Sequence, residues 1–318
     1  MNLQTKVEIR SNSLKLSYSD KILFLGSCFA NEIGAIMKNL RFNVLVNPFG
    51  VLYNPASISD SLERLMSNRP FSEQSVIKCG DIYKSQYHSS EFAAMSMDEL
   101  IANINMLLSE ASSHFNESKW IVVSLGTRWI YRLRSNGVVV ANCHKLPQDQ
   151  FNREALTVEE IVELLSPYIA ENPNKIWLFT VSPVRHWKDG AHGNQLNKAV
   201  LLLAIEKLQS KYGNILYFPA YEILLDELRD YRFYSEDMLH PSPQAVDYIW
   251  EIFKEILIDE PSLEFMKVVS KLNSMNNHRP FFPESQSYLM FDKERKELEA
   301  NVEEKLKNLQ FLTTDNNK

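Results

Sequence analysis

The sequence is short of the features that would make its class obvious, and each shortage excludes something. It has three cysteines in 318 residues, Cys28, Cys79 and Cys143, an odd number without C-x-x-C spacing. That argues against a disulfide framework and a zinc knuckle, and reduced thiols in a cytoplasmic setting are the economical expectation. No long basic run exists, and 34 Lys+Arg against 40 Asp+Glu leave a net charge of −6. A general nucleic-acid partner is therefore not expected. The longest purely apolar run, Ala199 to Ile205, falls far short of the ~20 residues of a membrane span. Lys6, Glu8 and Arg10 near the start argue against a secretory signal. Internal repeats and low-complexity tracts are also missing.

What is there suits a large α/β unit. At this length a folded chain buries roughly three quarters of its unfolded surface, enough for a core without staples. Short apolar runs at Ile22 to Leu25, Phe42 to Val46, Trp120 to Val123, Ile176 to Val181 and Ile215 to Phe218 read as five buried strands. Helical patterns lie between them: Phe29, Ile33, Ile36, Met37 and Leu40 after the first, and Leu196, Val200, Leu203 and Leu208 after the fourth. Strands alternating with amphipathic helices predict a parallel sheet covered on both faces, a three-layer α/β/α sandwich. Residues 129–151, with Asn136-Gly137 between apolar runs, read as a hairpin-like insertion. The expected division is an α/β domain over 1–260 and a C-terminal helical extension over 261–318. In the extension, a charged helix from about Phe291 to Leu309 carries a narrow stripe of Leu298, Val302, Leu306 and Leu309. Such a helix docks on the domain edge or on a second copy of the chain. Thr313 to Lys318 are expected to be disordered.

In open parallel sheets ligands sit beyond the carboxyl ends of the strands. Those positions hold Gly26-Ser27-Cys28, Asn47-Pro48-Phe49-Gly50, Gly126-Thr127-Arg128-Trp129 and Ser182-Pro183-Val184-Arg185-His186-Trp187, followed later by Asp237-Met238-Leu239-His240-Pro241. Gly26 permits a tight turn, and Ser27 then stands at a helix N-terminus, where it can attack an acyl carbon or merely cap the helix. Asp237 and His240, three apart, can share one turn, so that the carboxylate steadies one imidazole nitrogen and leaves the other as base. A solvated loop with a local Asp cap is the bland alternative.

The stretch Gly26-Ser27-Cys28-Phe29-Ala30 resembles the motif that names the GSCFA family, a branch of the SGNH (GDSL-like) hydrolases. The resemblance spans roughly 1–260 and includes Asn47 to Pro55, Leu125-Gly126-Thr127, Asn142-Cys143-His144-Lys145, Ser182 to His186 and Asp237-x-x-His240-Pro241. It implies a flavodoxin-like, mostly parallel five-stranded sheet with Ser27 as nucleophile, His240 as base and Asp237 as its orienting carboxylate. It also suggests Gly50 as a second oxyanion N–H. The chain departs from the pattern at Gly126-Thr127-Arg128, where such hydrolases place an asparagine. Thr127, Arg128, Asn47 or Asn54 is left to supply that donor. Losing one typically costs ~10²- to 10³-fold in turnover.

Cys28 is the rival nucleophile at the same helix terminus, and adjacent residues at a turn point different ways, so only one of the two faces His240. A packed, inert thiol is the alternative reading of Cys28. Cys143, His144, His186, Asp189 and His192 lack a ligand spacing, so no metal is expected, and His186 is read as contacting substrate or holding its loop. His88 reads as a structural histidine. Trp129, Trp187, Arg128, Arg185 and Lys188 near strand ends suit a carbohydrate or anionic acyl ester, or are edge packing. These readings lead to a cofactor-free serine hydrolase of a small ester, O-acetyl or O-acyl on a sugar-like substrate. The alternatives are a non-catalytic carbohydrate- or partner-binding protein, and an acyltransferase using the same residues.

Overall fold

The computed structural model describes residues 5–9 and 13–315. In chain order, β1 (Lys21–Gly26), α1 (Cys28–Asn39), β2 (Asn43–Val46) and α2 (Pro55–Ser67) come first. A small excursion, β3 (Val76–Cys79), β4 (Ile82–Ser85) and β5 (Ala93–Ala94), leads to α3 (Met97–Glu117) and β6 (Trp120–Leu125). Then follow β7 (Trp129–Leu133), β8 (Val139–Val140), β9 (Phe151–Ala155), α4 (Val158–Glu171), β10 (Ile176–Val181), α5 (Gly190–Lys211) and β11 (Ile215–Tyr217). The chain closes with α6 (Ala220–Glu222), α7 (Pro243–Leu257), α8 (Glu260–Asn276) and α9 (Gln286–Asp315).

The five expected runs form one sheet in the order β11–β10–β6–β1–β2, every pairing parallel. Alternation along the strands fills two cores. Leu23, Leu25, Val123 and Phe179 face the layer that includes α3, α4 and α5. Ile22, Phe24, Val122 and Leu178 face the layer of α1, α7 and α8. Each fully buried Leu, Ile or Phe contributes roughly 1.5–3 kcal/mol, so both layers are needed to hold the sheet. The result is a three-layer α/β/α sandwich.

Helix α1 buries Phe29, Ala30, Ile33, Gly34 and Met37, and a Cβ on Gly34 would lie 2.5 Å from Val46, so this helix packs close to β2. Helix α5 departs from expectation: Leu196 and Leu203 are about half exposed, while Asn194, Asn197, Lys198, Leu201, Ala204, Ile205 and Leu208 are buried. The polar residues of its first turns face inward because they hold strand ends, which rotates the apolar stripe away from the predicted face. Residues 129–155 form a three-stranded antiparallel sheet, β8–β7–β9, with Gly137 at positive φ in the β7–β8 turn. A second small sheet, β3–β4–β5, was not expected from the sequence.

Helix α9 docks on its own domain. Val302 is 1% exposed in the same core as α1 and α7, with Leu298, Leu306 and Leu309 packed around it. It runs through Asp315, into the stretch expected to be disordered; residues 316–318 lie outside those described. No helix among the described residues is long and apolar enough to cross a membrane.

Candidate active site

The β1–α1 turn is built by backbone constraints. Gly26 sits at φ +132°, and a Cβ there would lie 2.2 Å from the Ser124 carbonyl oxygen, so only glycine lets β1 turn beside β6. Its N–H donates to Asn47 Oδ1 at 2.8 Å, while Asn47 Nδ2 donates to Asn31 Oδ1 at 2.6 Å. Asn47 therefore clamps the end of β1 to α1.

Ser27 occupies the N-cap position of α1, but its side chain does not cap. Its N–H donates to Ser124 O at 3.0 Å and its hydroxyl pairs with Ser124 Oγ at 2.7 Å, with the residue 1% exposed. Ser124 borders a small apolar pocket beneath α1 lined by Phe24, Phe29, Phe218 and Phe253. Cys28, the first residue of α1, is half-buried on another side, its Sγ 3.7 Å from the Tyr53 hydroxyl. Burial first, and then the neighbouring thiol, raises Tyr53 above the ordinary tyrosine range.

Asp237 and His240 meet as their spacing suggests. His240 Nδ1 is 2.6 Å from Asp237 Oδ2, and Asp237 Oδ1 accepts the N–H groups of Leu239 and His240 at 2.9 and 3.0 Å. Those backbone donors, then the imidazole, hold the carboxyl down at about 2, so it is ionised throughout the working range. The loop is fixed by Ser235 N–H to His240 O, Arg185 N–H to Leu239 O, and the Tyr234–Pro241 bridge. Both side chains remain nearly half exposed.

His186 follows β10 beside Tyr53: its ring meets Tyr53 edge-on at 6.1 Å, and its backbone N–H donates to Asn194 Oδ1 at 2.9 Å. Burial, then Lys198, with lesser contributions that include His240, push its imidazole down to about 4, so it is neutral at pH 7. Cys28, Tyr53 and His186 are thus linked by contacts, Arg185 ties the stretch before His186 to the Asp237–His240 loop, and neither Ser27 nor Cys28 hydrogen-bonds His240.

The other candidates are mostly engaged in holding the fold. Gly50 donates its N–H to Asn47 O at 2.7 Å, closing a turn, and is therefore not a free oxyanion donor. Thr127 donates N–H to Tyr53 O and hydroxyl to Asn197 Oδ1, and Asn54 caps α2. Arg128 and Arg185 differ: each has a buried Nε without a hydrogen-bond partner, with its guanidinium over Trp129 or Trp187. Among the described residues no group of three or more His, Cys, Asp or Glu could hold a metal ion. His144 Nε2 instead bonds Ser85 O at 2.8 Å, and Asp189 is bound by Arg153 at 2.7 Å.

A model described as the GSCFA family matches residues 21–253, from the first residue of β1 into α7. The chain belongs to the GSCFA family. No curated protein matches it. Among solved structures it is similar to an acetyl xylan esterase, Est2A, from the rumen bacterium Butyrivibrio proteoclasticus, with 12% identity and a TM-score of 0.34. The alignment covers 76% of this chain and 64% of that one, so the chain spans less than two thirds of that enzyme's length.

In this GSCFA chain two features escaped the sequence reading. Lys198, 1% exposed, donates to the carbonyls of Gly126 at 3.0 Å and Ser182 at 2.7 Å, tying the ends of β6 and β10. Its signal was the polar spacing Asn194, Asn197, Lys198 at the start of a helix, which the hydrophobic pattern masked. The other is the wall made by the 129–155 sheet. Arg153 stacks on Trp129 at 3.7 Å and grips Asp189, while Lys188 donates to the Tyr131 hydroxyl at 2.8 Å. Those contacts fasten the insertion to the loop carrying His186.

Proposed function

We propose that this chain is a hydrolase of small acyl esters, O-acetyl or O-acyl groups on a carbohydrate-like alcohol, acting through an acyl-enzyme. The observation that carries this reading is the Asp237–His240 pair, aligned at 2.6 Å on the sheet's carboxyl rim, where the β1–α1 turn also lies. With Nδ1 held by an ionised carboxylate, Nε2 is the nitrogen left to accept a proton. A nucleophile of the Gly26-Ser27-Cys28 turn attacks the acyl carbon as His240 takes its proton. Collapse of the tetrahedral intermediate breaks the C–O bond, and His240 returns the proton to the leaving alkoxide. Water, deprotonated by the same imidazole, then releases the acid.

For the oxyanion, support comes from the α1 N-terminus, whose first N–H groups have no intrahelical acceptor, and from the unpartnered Nε atoms of Arg128 and Arg185. Support for a sugar-like alcohol is the half-exposed Trp187, whose ring carries the Arg185 guanidinium at 4.9 Å as Trp129 carries Arg153 at 3.7 Å. Hydrolysis of 4-nitrophenyl acetate and of acetylated monosaccharides by wild type and His240→Ala tests the reading. The variant is expected to lose roughly 10²- to 10⁴-fold in kcat. Equal rates would leave a binding protein.

A further inference from the structure

The structure assigns the attack to Cys28 rather than to Ser27, an inference that rests on the ester-hydrolase reading of this site. Three observations separate the neighbours. First, the Ser27 hydroxyl, in a residue 1% exposed, pairs with Ser124 Oγ at 2.7 Å, and Ser124 belongs to the apolar pocket beneath α1, on the core side of the turn. Bringing it to the rim would break that bond and strand the Ser124 hydroxyl in an apolar pocket, at the cost of an unsatisfied buried group. Second, the Cys28 thiol is half-buried on the side of Tyr53, and Tyr53 leads through its edge contact to His186 and on to the Asp237–His240 loop. The thiol therefore contacts Tyr53, the residue that leads toward the base, whereas the hydroxyl's partner is Ser124. Third, Cys28 is the first helical residue of α1, where the helix dipole and the N–H groups of the first turn favour the oxyanion that its attack would create.

In the resulting reaction His240 removes the thiol proton, the thiolate sulfur bonds to the acyl carbon, and the ester C–O bond breaks as the alkoxide takes that proton. The thioester is then hydrolysed by a water whose proton passes to His240, restoring the thiol and releasing the carboxylic acid. No oxidant or further reactant is required. Tyr53, whose raised pKa keeps it a phenol, is placed to donate toward the sulfur and steer it.

The test is pre-steady-state cleavage of 4-nitrophenyl acetate by Ser27→Ala, Cys28→Ala, Cys28→Ser and His240→Ala, each confirmed as folded by circular dichroism. The site of acetylation is read by fragmenting the tryptic peptide that carries both residues. We expect Cys28→Ala to lose the burst and about 10³-fold in turnover, and Ser27→Ala to keep the burst with turnover within about tenfold. Cys28→Ser is expected to fall nearly as far as Cys28→Ala. The acetyl group should sit on residue 28, be released by neutral hydroxylamine, and be blocked by prior treatment with iodoacetamide. An acetyl group on residue 27, with the burst lost in Ser27→Ala and kept in Cys28→Ala, would overturn the assignment to Cys28 while leaving the hydrolase reading intact. A burst absent from wild type, or unchanged in all four variants, would overturn both.

Discussion

Two polar regions of this molecule carry histidines, and they are built on opposite principles. Beneath Phe49, His88 is 1% exposed, bonded through Nδ1 to Ser85 Oγ at 2.6 Å and ringed by Phe49, Phe71 and Phe92. Burial first, then Arg64 and His144, push it down to about 3. At the rim, His240 is nearly half exposed and faces a carboxylate held at about 2. A hydroxyl partner in an apolar cage locks one imidazole neutral; the other is set beside solvent with a carboxylate as its partner. Position and partner, not residue type, separate the structural histidine from the candidate base.

The sharpest way to break the contrast is to truncate both. His240→Ala should cost activity, roughly 10²- to 10⁴-fold in kcat, yet change unfolding stability by no more than about 0.5 kcal/mol. His88→Ala should do the reverse, costing about 3 kcal/mol in urea unfolding through a cavity in the aromatic cage and an orphaned Ser85 hydroxyl. A stability loss shared equally between the two would erase the distinction.

Next in size is the pH response. The unfolded chain takes up a proton at His88 near its ordinary 6.5, but the folded chain does so only at about 3. More protons are then bound unfolded than folded, so stability is full above pH 6.5 and falls as pH drops toward 3, by about 1.4 kcal/mol per pH unit for each such group. His186, pushed down to about 4, adds to the same acid limb. The urea midpoint measured from pH 7 to 5 should fall, and His88→Gln should flatten that fall; an unflattened limb would remove His88 as its source.

A smaller effect is expected at Lys198, which burial, then Arg185, lowers to about 7. Lys198→Met leaves the Gly126 and Ser182 carbonyls without their donor and should cost about 2 kcal/mol in chemical unfolding. Least of all, Arg153→Ala should cost about 1 kcal/mol, since the Asp189 carboxylate it leaves behind is about a quarter exposed and can take up water in place of the guanidinium. Its effect should instead be a raised KM, as the insertion sheet loosens from the His186 loop.

The sheet was legible because its strands are short apolar runs whose meaning depends only on neighbours in sequence. Asp237 and His240 were legible for the same reason, being three residues apart. What the sequence could not show depended on distant register. The direction of Ser27 follows from Gly26 lying opposite Ser124, and the loss of the Gly50 N–H follows from a turn closed on Asn47 O. Strands β3 and β4 were missed because Lys78 and Lys84 interrupt runs only four residues long. The buried face of α5 was misread because Asn194, Asn197 and Lys198 turn inward to hold chain ends, which hydropathy cannot express.

The central claim, a rim imidazole acting as base on an acyl ester, is tested most directly by steady-state release of 4-nitrophenol from 4-nitrophenyl acetate at equal concentrations of wild type and His240→Ala. Wild type should be faster by at least about a hundredfold. Indistinguishable rates, in a variant that unfolds at the same urea concentration as wild type, would contradict the account.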